Sequence, residues 1–315
     1  MYRIGVELGG TNIVAGVVDE FYKIISKGKR KTNCPRPAGE ILADIAACVQ
    51  EAVEKAGITM EQVESIGIGT PGSVNKRMGI IEYANNLGFD KVPARDILSK
   101  YFDKPIYIEN DANCAALGEA VAGAGGNVEN FVMITLGTGV GSGIIVNSKI
   151  VNGCNDAAGE MGHNVIVVDG EPCTCGRKGC WEAYASATAL VRQTKTAMRE
   201  NKDSFMWQIA EGDLEKVNGR TAFDGMRQGD TAAKLVVDKY IKYLSAGIVN
   251  VVNTFQPDVL CIGGGVGCEG EPLLVPVREY VLKERYSIHC GKQTQICSAV
   301  LGNDAGVIGA ALLDE

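Results

Sequence analysis

The feature that most constrains this 315-residue chain is a pattern that occurs twice. A hydrophobic strand runs into a turn containing glycine and threonine, and a second strand follows. The first copy has strands at Tyr2–Leu8 and Ile13–Asp19, and the second has strands at Phe131–Leu136 and Gly143–Val146. The repeated pattern predicts a duplication, with an α/β lobe in each half. The two halves share almost no sequence identity, so the duplication is one of fold and not of sequence.

Further elements are predicted from hydrophobic periodicity and from glycine or proline at the ends of segments. In the first half we predict strands at Tyr22–Lys31, Ser65–Gly69 and Ile106–Glu109, and helices at Gly39–Ala56, Val92–Lys100 and Ala112–Ala124. In the second half we predict a strand near Val165–Val168, helices within Ser186–Tyr243, a strand at Val259–Ile262, and a final helix at Gly302–Leu313 that packs back on the first lobe.

The repeated pattern and the length of the chain predict two lobes. The smaller N-terminal lobe is predicted to contain residues 1–118 plus 303–315. The larger C-terminal lobe is predicted to contain residues 119–302, with a metal-binding segment and a helical region suited to dimerisation.

Composition excludes several classes of partner. The formal net charge of -7 and the pI of about 5.1 leave no basic excess to neutralise nucleic acid or an anionic membrane surface. No apolar leader and no apolar run long enough to span a bilayer is present, so we expect a cytoplasmic protein. Its 11 cysteines are expected to be reduced thiols, with Cys48, Cys114 and Cys261 in the core.

Three glycine-rich turns each follow a hydrophobic strand. Glycine lets backbone N–H groups approach an anion closely, and threonine adds a hydroxyl donor, so such turns suit nucleotide phosphates. One such turn alone is a weak indication, and neither a P-loop nor a dinucleotide-binding motif is present. The residues assigned to phosphate or nucleotide binding are Gly9, Gly10, Thr11, Gly137, Thr138, Gly139, Gly264 and Gly265.

Asn110 and Asp111 lie where a predicted strand ends and a helix begins. Such a carboxylate can accept a hydroxyl proton while the neighbouring amide binds another hydroxyl group, and polar groups converge at strand ends in α/β lobes. An Asp at this place can also be a simple helix N-cap. The residue pattern alone leaves both interpretations open.

A cluster of potential metal ligands gives the strongest local signal. His163, Cys173, Cys175 and Cys180 form a closed tetrahedral set for structural zinc, and the glycines around the last cysteines allow the loop to curve. The alternative is a set of free thiols in a loop. Glu160 and Glu182 flank the cluster and would be carried to the same place, although each alone is typical of a surface residue.

Together, five segments resemble the ROK family (repressor, open reading frame, kinase), and in particular its bacterial glucokinases. The resemblance covers essentially the whole chain, and the ordered set is far more specific than any one segment. The segments are residues 5–11 (GVELGGT), 109–113 (ENDAN), 136–141 (LGTGVG), 158–163 (AGEMGH) and 173–182 (CTCGRKGCWE).

The resemblance implies the two-lobed fold of the actin, hexokinase and Hsp70 ATPases, built from duplicated ribonuclease H-like domains, with ATP and sugar in the cleft. Asp111 matches the catalytic base. Asn110, Glu160, His163 and Glu182 match sugar-hydroxyl contacts. His163 matches a residue that binds zinc with one ring nitrogen and sugar with the other, and Cys173, Cys175 and Cys180 match the remaining zinc ligands. The glycine turns match the phosphate and adenosine contacts.

One position departs from the family pattern. Glu7 stands where many members have Asp, a residue associated with Mg²⁺ and its water shell. Glutamate keeps the charge and adds one methylene, and Mg²⁺ retains several waters when bound to proteins. We therefore assign Glu7 to Mg²⁺ through water, with its equivalence to the usual Asp left open.

The expected activity is ATP-dependent phosphorylation of the 6-hydroxyl of a hexose, with glucose as the leading substrate. Mannose, N-acetylmannosamine, N-acetylglucosamine and fructose stay open, as does a donor other than ATP. The segment Asn85–Phe89 is the place where we expect sugar selectivity to reside. A sugar-sensing regulator is the chief alternative, but such family members carry a DNA-binding segment before the first glycine turn, where only eight residues stand here. A non-sugar ATPase or an acyl-phosphate-forming kinase of the same fold is a second alternative, and neither chemistry needs the zinc set. The family also leads us to expect a homodimer.

Overall fold

A computed structural model describes residues 1–314 of the chain. Its strands, in chain order, are β1 (Tyr2–Leu8), β2 (Asn12–Val18), β3 (Ile24–Lys31), β4 (Val63–Thr70), β5 (Ser73–Asn75), β6 (Ile80–Ala84), β7 (Phe89–Val92), β8 (Ile106–Asn110), β9 (Phe131–Leu136), β10 (Val140–Val146), β11 (Lys149–Ile150), β12 (Val259–Gly263) and β13 (Gln295–Ser298). Its helices are α1 (Ala38–Ala56), α2 (Ala94–Leu98), α3 (Asp111–Ala122), α4 (Glu182–Ala185), α5 (Ala187–Glu200), α6 (Met206–Ile209), α7 (Thr221–Arg227), α8 (Thr231–Phe255), α9 (Gly264–Gly267), α10 (Glu271–Glu284) and α11 (Ala305–Ala311).

Two five-stranded sheets repeat one topology. The first has the order β3-β2-β1-β4-β8 and the second has the order β11-β10-β9-β12-β13. In both, the strands stand in the order third, second, first, fourth, fifth. The first three strands of the first sheet are antiparallel, and β4 and β8 then run parallel to β1. This repeated order confirms the predicted α/β fold with duplicated domains.

The chain forms two compact units. One contains residues 1–133, 143–159 and 300–315, and the other contains residues 134–142 and 160–299. The lobe boundaries predicted from the sequence, 1–118 plus 303–315 and 119–302, differ in their limits and stay a prediction. Helix α3 continues without interruption across position 118.

Helix α1 covers one face of the first sheet. Its apolar residues at helical spacing, Ile41, Ile45 and Val49, are buried, as the periodicity predicts. The helix ends at Gly57, which has φ 68° and so adopts the left-handed conformation typical of a helix C-cap. Burial of these side chains supplies much of the stability of the first unit, since removal of apolar surface from water is the main favourable term in folding.

Helix α11 packs against β1, β4 and α3 with almost no side chain between the backbones. A Cβ atom at Gly5 would lie 1.8 Å from the Val307 carbonyl oxygen, and one at Gly67 would lie 1.8 Å from the Ala310 oxygen. A Cβ atom at Gly309 would lie 1.7 Å from the Cys114 oxygen. Three glycines therefore set the distance of this helix from the sheet and from α3. The predicted return of the last helix to the first lobe is confirmed.

The second unit is built around α8 and the indole of Trp181. The Trp181 ring is buried, and its Nε1 donates to the Tyr243 carbonyl over 3.1 Å. Gly247 on α8 leaves room for the ring, because a Cβ atom there would lie 2.0 Å from the indole. Tyr240 is also buried and donates its hydroxyl to the Ala185 carbonyl over 2.7 Å. This packing fixes α4, and with it the segment of predicted metal ligands that precedes α4.

Two predictions about local structure are wrong. Residues 165–168 do not form a strand: Val165 makes a single bridge to Cys180, and the amides of Ile166 and Val167 both donate to the Gly179 carbonyl. The chain is therefore bent around Gly179 despite its run of β-branched residues. The three-stranded sheet β5-β6-β7 was not predicted, because strands of three to five residues carry little periodicity.

The α11 contact leads to a stability prediction. We expect Gly309→Ala to lower the free energy of unfolding by about 3 kcal/mol, because the new methyl meets backbone that cannot turn aside. Gly39→Ala in the first turn of α1, where a Cβ atom meets nothing within 4 Å, should raise it by about 0.5 kcal/mol. Chemical denaturation of both variants checks this, and equal unfolding midpoints would contradict the packing argument.

Candidate functional site

Two acidic side chains lie at one edge of the first sheet. β1, β4 and β8 are parallel, and the register aligns Glu7 with Gly69 and Gly69 with Glu109. The carboxyl ends of these strands therefore meet at the same edge, which brings Glu7 near Asp111. Burial raises the pKa of Glu7, the negative charges of Asp111 and Asp304 raise it further, and Lys27 opposes the shift. An edge with this much negative charge attracts a cation.

Asn110 caps helix α3 while Asp111 begins it. The Asn110 Oδ1 atom accepts from the amides of Ala112 (2.8 Å) and Asn113 (3.2 Å), and its Nδ2 donates to the Gly72 carbonyl over 3.1 Å. The N-cap is thus Asn110, and the sequence alternative that assigned the cap to Asp111 is wrong. One N–H of the Asn110 amide remains available for a hydroxyl group.

Asp111 keeps one carboxylate oxygen for other partners. Its Oδ1 accepts from the Ala112 amide over 2.9 Å. Burial raises the pKa of Asp111, while the hydrogen bonds from the backbone lower it, and the result is a net rise. A carboxylate with a raised pKa is a better proton acceptor than an ordinary one, which suits it to general-base chemistry.

The first glycine turn is held at its base. The Gly9 amide donates to the Asn12 carbonyl over 2.9 Å, and the Thr32 hydroxyl donates to the Gly9 carbonyl over 2.6 Å. Thr11 is exposed. Gly10 lies beside Asn86, since a Cβ atom at Gly10 would be 3.7 Å from the Asn86 Cβ. The turn and the segment Asn85–Phe89 are therefore neighbours in the first unit.

In the second unit, Glu182 lies against the second glycine turn. Its Oε2 accepts from the Val140 amide over 3.1 Å, and its Oε1 accepts from the Thr174 hydroxyl over 3.1 Å. A Cβ atom at Gly139 would be 2.2 Å from Glu182 Oε2, so only glycine leaves room for this contact. Thr138 contributes its carbonyl to the Thr188 hydroxyl over 2.8 Å. The predicted phosphate turn and a predicted sugar contact thus share a hydrogen bond.

The third glycine turn is packed against the end of β9. Gly264 has φ +81°, and a Cβ atom there would lie 2.6 Å from the Leu136 amide nitrogen. Gly265 follows in the single helical turn α9, where a Cβ atom would meet nothing within 4 Å. The structure therefore requires glycine at position 264 and leaves the surface above Gly265 accessible.

The four predicted metal ligands are brought together. The ligand atoms of His163, Cys173, Cys175 and Cys180 all lie within 4.8 Å of one another. His163 Nδ1 is 3.6 Å from the Cys173 sulfur, and the sulfurs of Cys175 and Cys180 are 3.7 Å apart. Burial raises the pKa of Cys180 to about 12, and a hydrogen bond from the Arg177 amide lowers that of Cys175. A soft cation would be needed to hold all three sulfurs as thiolates.

Glu160 precedes the short helical turn that carries His163. Its carbonyl accepts from the His163 amide over 3.1 Å, and its side chain is exposed. The next amide, that of Met161, donates to the Ser142 hydroxyl over 3.1 Å. His163 faces the Cys173 sulfur with Nδ1, so its Nε2 points to a different partner.

A family model described as "ROK family" matches residues 3–315. The chain belongs to the ROK family.

Among curated relatives of this ROK protein, a glucokinase from Thermotoga maritima is 35% identical over 98% of this chain and 95% of its own length. A xylose repressor from Caldicellulosiruptor bescii is 31% identical over 88% of this chain and 69% of its own length. Among solved structures, a ROK glucokinase from Streptomyces griseus in complex with glucose and AMPPNP is 36% identical, with a TM-score of 0.80 over 99% of this chain and 98% of that one. These similarities confirm the two-lobed actin/hexokinase-type fold.

Within residues 1–314 of this ROK protein, none of the helices combines the length and the hydrophobicity needed to cross a bilayer.

Sequence reasoning gave no role to Glu109 or Lys76. Glu109 is completely buried, and its Oε2 is 2.8 Å from the Lys76 ammonium. A charged residue near the end of strand β8, directly after the apolar residues 106–108, was a signal that could have been noticed. Its partner could not be found in this way, because nothing in the sequence marks Lys76 among the other lysines.

The Glu182 contact leads to a prediction for this ROK protein. We expect Gly139→Ala to displace the Glu182 carboxylate and to speed amide exchange at Val140 roughly tenfold to a hundredfold, the effect of losing one charge-assisted hydrogen bond. Gly137→Ala is the matched control, because a Cβ atom there meets nothing within 4 Å. Hydrogen exchange followed by NMR or mass spectrometry compares the two, and unchanged exchange at Val140 in Gly139→Ala would contradict the assignment.

Proposed function

We propose that this ROK protein transfers the γ-phosphoryl group of ATP to the 6-hydroxyl of a hexose, with glucose as the preferred substrate. The observation that carries the proposal is the near full-length similarity to glucokinases, one of which is solved with glucose and an ATP analogue. The chain retains a carboxylate with a raised pKa at the position expected for the base, Asp111. Hexokinase-type phosphotransferase is the reaction class.

Phosphoryl transfer requires chiefly alignment and neutralisation of charge. In the proposed reaction the sugar 6-oxygen attacks the γ-phosphorus, the bond from that phosphorus to the β,γ-bridging oxygen breaks, and ADP leaves. The hydroxyl proton passes to Asp111. Because one Asp111 oxygen is held by the Ala112 amide, the other is the acceptor in this proposal.

The glycine turns at 9–11 and 137–139 are proposed to bind the ATP phosphates through backbone N–H groups, and the Gly264 and Gly265 turn to contact the adenosine. Mg²⁺ accompanies ATP as its usual counterion in phosphoryl transfer. Glu7 is proposed to reach Mg²⁺ through a water. The charges of Asp111 and Asp304, which raise the pKa of Glu7, would help to attract the ion.

We propose that four side chains form hydrogen bonds with the sugar hydroxyls: those of Asn110, Glu160, His163 and Glu182. Supporting this, Asn110 has an amide N–H to spare after it caps α3, and His163 has Nε2 to spare after its Nδ1 contact with Cys173. A site of such polar groups strongly rejects sugars that lack a matching hydroxyl, because a polar group that the bound sugar covers is then left unpaired. Mannose, N-acetylmannosamine, N-acetylglucosamine and fructose remain competing substrates within the same proposal.

A sugar-sensing regulator is the second candidate, favoured by the similarity to xylose repressors. It predicts binding of a sugar without turnover. The homodimer and the cytoplasmic location expected from the sequence stay predictions.

The deciding experiment measures ADP release with ATP and Mg²⁺ across the five sugars, for the wild type and for Asp111→Asn. We expect rapid turnover of glucose and a loss of about a hundredfold to ten-thousandfold in the variant. Turnover of another sugar would change the substrate and keep the reaction. A sugar that raises the melting temperature without turnover would establish the regulator.

Stability separates lost chemistry from lost folding in Asp111→Asn. The folded-state pKa of Asp111 is raised, so its charge opposes folding at neutral pH. That cost shrinks as pH falls through the folded-state pKa and is gone below the unfolded-state pKa. The variant should therefore unfold at or above the wild-type midpoint at pH 7, with its advantage shrinking in acid. A lower midpoint at pH 7 would show that the activity loss reflects damage to the fold.

We further propose that the Cys/His cluster binds one structural Zn²⁺. A tetrahedron with zinc–sulfur bonds of about 2.3 Å has sulfur–sulfur edges of about 3.8 Å, and the separation of Cys175 and Cys180 is 3.7 Å. All four ligands come from protein, so no position is left for a reactive water. When bound, the ion would supply folding energy to the loop rather than chemistry.

The zinc proposal is tested by metal content. We expect one Zn²⁺ per chain in the wild type and none in Cys175→Ser, which should also melt at a lower temperature because the loop loses its cross-link. Cys290→Ser is the control, since Cys290 is another exposed cysteine outside the cluster and should leave metal content unchanged. A wild-type chain purified with no bound metal, and unaffected by added Zn²⁺, would exclude the proposal.

A further inference from the structure

The buried carboxylate of Glu109 is bonded on both oxygens to groups around the proposed base. Its Oε1 accepts from the Asn110 amide over 2.8 Å and from the Asn113 side-chain amide over 3.0 Å. Its Oε2 pairs with Lys76 at 2.8 Å. Glu109 has no exposed surface. Buried charges of this kind persist only when paired and hydrogen-bonded.

Lys76 reaches Glu109 from the turn between β5 and β6 and is itself held from a third segment. Its backbone amide donates to the Asp156 carboxylate over 3.0 Å. With its side-chain amide turned so that the oxygen faces the cation, Asn152 fits between the two charges, and its oxygen is then 3.0 Å from the Lys76 ammonium and its nitrogen 3.2 Å from Glu109 Oε2. Three separate stretches of the first unit therefore converge on one ion pair.

The Glu109 bonds end on the residues that set the direction of Asp111. Asn110 and Asn113 belong to the first turn of α3, and Asn110 caps the same turn through Ala112. Asp111 lies between the two residues that Glu109 holds. A shift of the turn would move the Asp111 carboxylate, and a misplacement of about 1 Å in a reacting group can cost roughly a hundredfold in rate.

The ion pair also keeps charge balanced near the base. Cys114, fully buried on the next turn of α3, has its pKa raised by burial and then by Glu109, Asp111 and Glu7, while Lys76 opposes them. Three carboxylates thus raise the pKa of one thiol, and the positive charge of Lys76 lowers it. Without Lys76, the Glu109 charge would be buried and uncompensated beside Asp111.

We propose that Glu109, paired with Lys76, is a positioning residue that fixes the first turn of α3 and thereby the Asp111 carboxylate for phosphoryl transfer. This inference rests on the proposed function. It predicts a loss of kcat together with a rise in the KM for glucose, because Asn110, which is assigned a sugar contact, is held by the same carboxylate. The KM for ATP should stay unchanged, because none of the held residues is assigned a contact with ATP.

The test is a double-mutant cycle with Glu109→Gln, Lys76→Met and the double variant. Glu109→Gln turns an amide group toward the Lys76 ammonium, so two donors face each other, and Lys76→Met leaves a buried carboxylate alone. Each single variant should lower kcat roughly tenfold to a hundredfold and raise the KM for glucose, while the KM for ATP stays within about threefold of wild type.

The double variant should recover most of the lost kcat. The neutral amide introduced by Glu109→Gln can donate to the Asn152 oxygen while its own oxygen still accepts from Asn110 and Asn113. Asp44→Asn is the control, because it breaks a partly buried ion pair with Arg36 that lies outside this network. It should leave kcat unchanged. Unchanged kcat in the single variants, or losses that multiply in the double variant, would overturn the proposal.

Amide exchange over residues 110–114 gives a readout that does not depend on activity. Glu109→Gln should increase exchange in this segment, the double variant should restore protection, and Asp44→Asn should not change it. If the wild type phosphorylates no sugar, the proposed function fails, and exchange alone decides the positioning role. Protection that is unaltered by Glu109→Gln would overturn that role even in an active enzyme.

Discussion

Backbone contact between α11 and the elements β1, β4 and α3 is the constraint on which the rest of the first unit depends. Gly5, Gly67 and Gly309 let these backbones meet at distances that no side chain permits. The same helix brings Gly306 against the Glu7 carboxylate, where a Cβ atom would lie 3.2 Å from Oε2. The positions of Glu7 and of the start of α3 are therefore fixed by one close-packed layer.

That layer concentrates negative charge. The charges of Glu7, Glu109 and Asp111 all raise the pKa of the buried Cys114 thiol. The three carboxylates differ in how far neighbouring groups offset their charge. Glu109 has a lysine and several hydrogen bonds, so its charge is compensated within the protein. The pKa of Glu7 and that of Asp111 are both raised, which shows that these carboxylates lack such compensation. A cation near Glu7 and a hydroxyl proton on Asp111 would offset these charges, and both belong to the proposed reaction.

The sequence was informative where periodicity is long or ligands are chemically distinctive. It located β1, α1 and the repeated pattern of strand, glycine turn and strand, because buried apolar residues recur at the spacing of each element. It also selected the four residues of the Cys/His cluster, which the structure brings together. It failed at residues 165–168, where β-branched residues favour a strand but the backbone bends around Gly179. It could not find the partner of Glu109, because Lys76 lies far from it along the chain and pairs through tertiary structure alone.

Glu182 links the Cys/His segment of the second unit to its glycine turn, two features that lie far apart in the sequence. Helix α4 begins at Glu182, two residues after the predicted ligand Cys180, and Trp181 between them is buried against α8. The Glu182 carboxylate bonds to Thr174, inside the ligand segment, and to Val140, at the end of the glycine turn. The ligand segment therefore cannot move without changing a hydrogen bond of the glycine turn. A structural metal ion in that segment would thus act on the turn through Glu182, although it touches no phosphate itself.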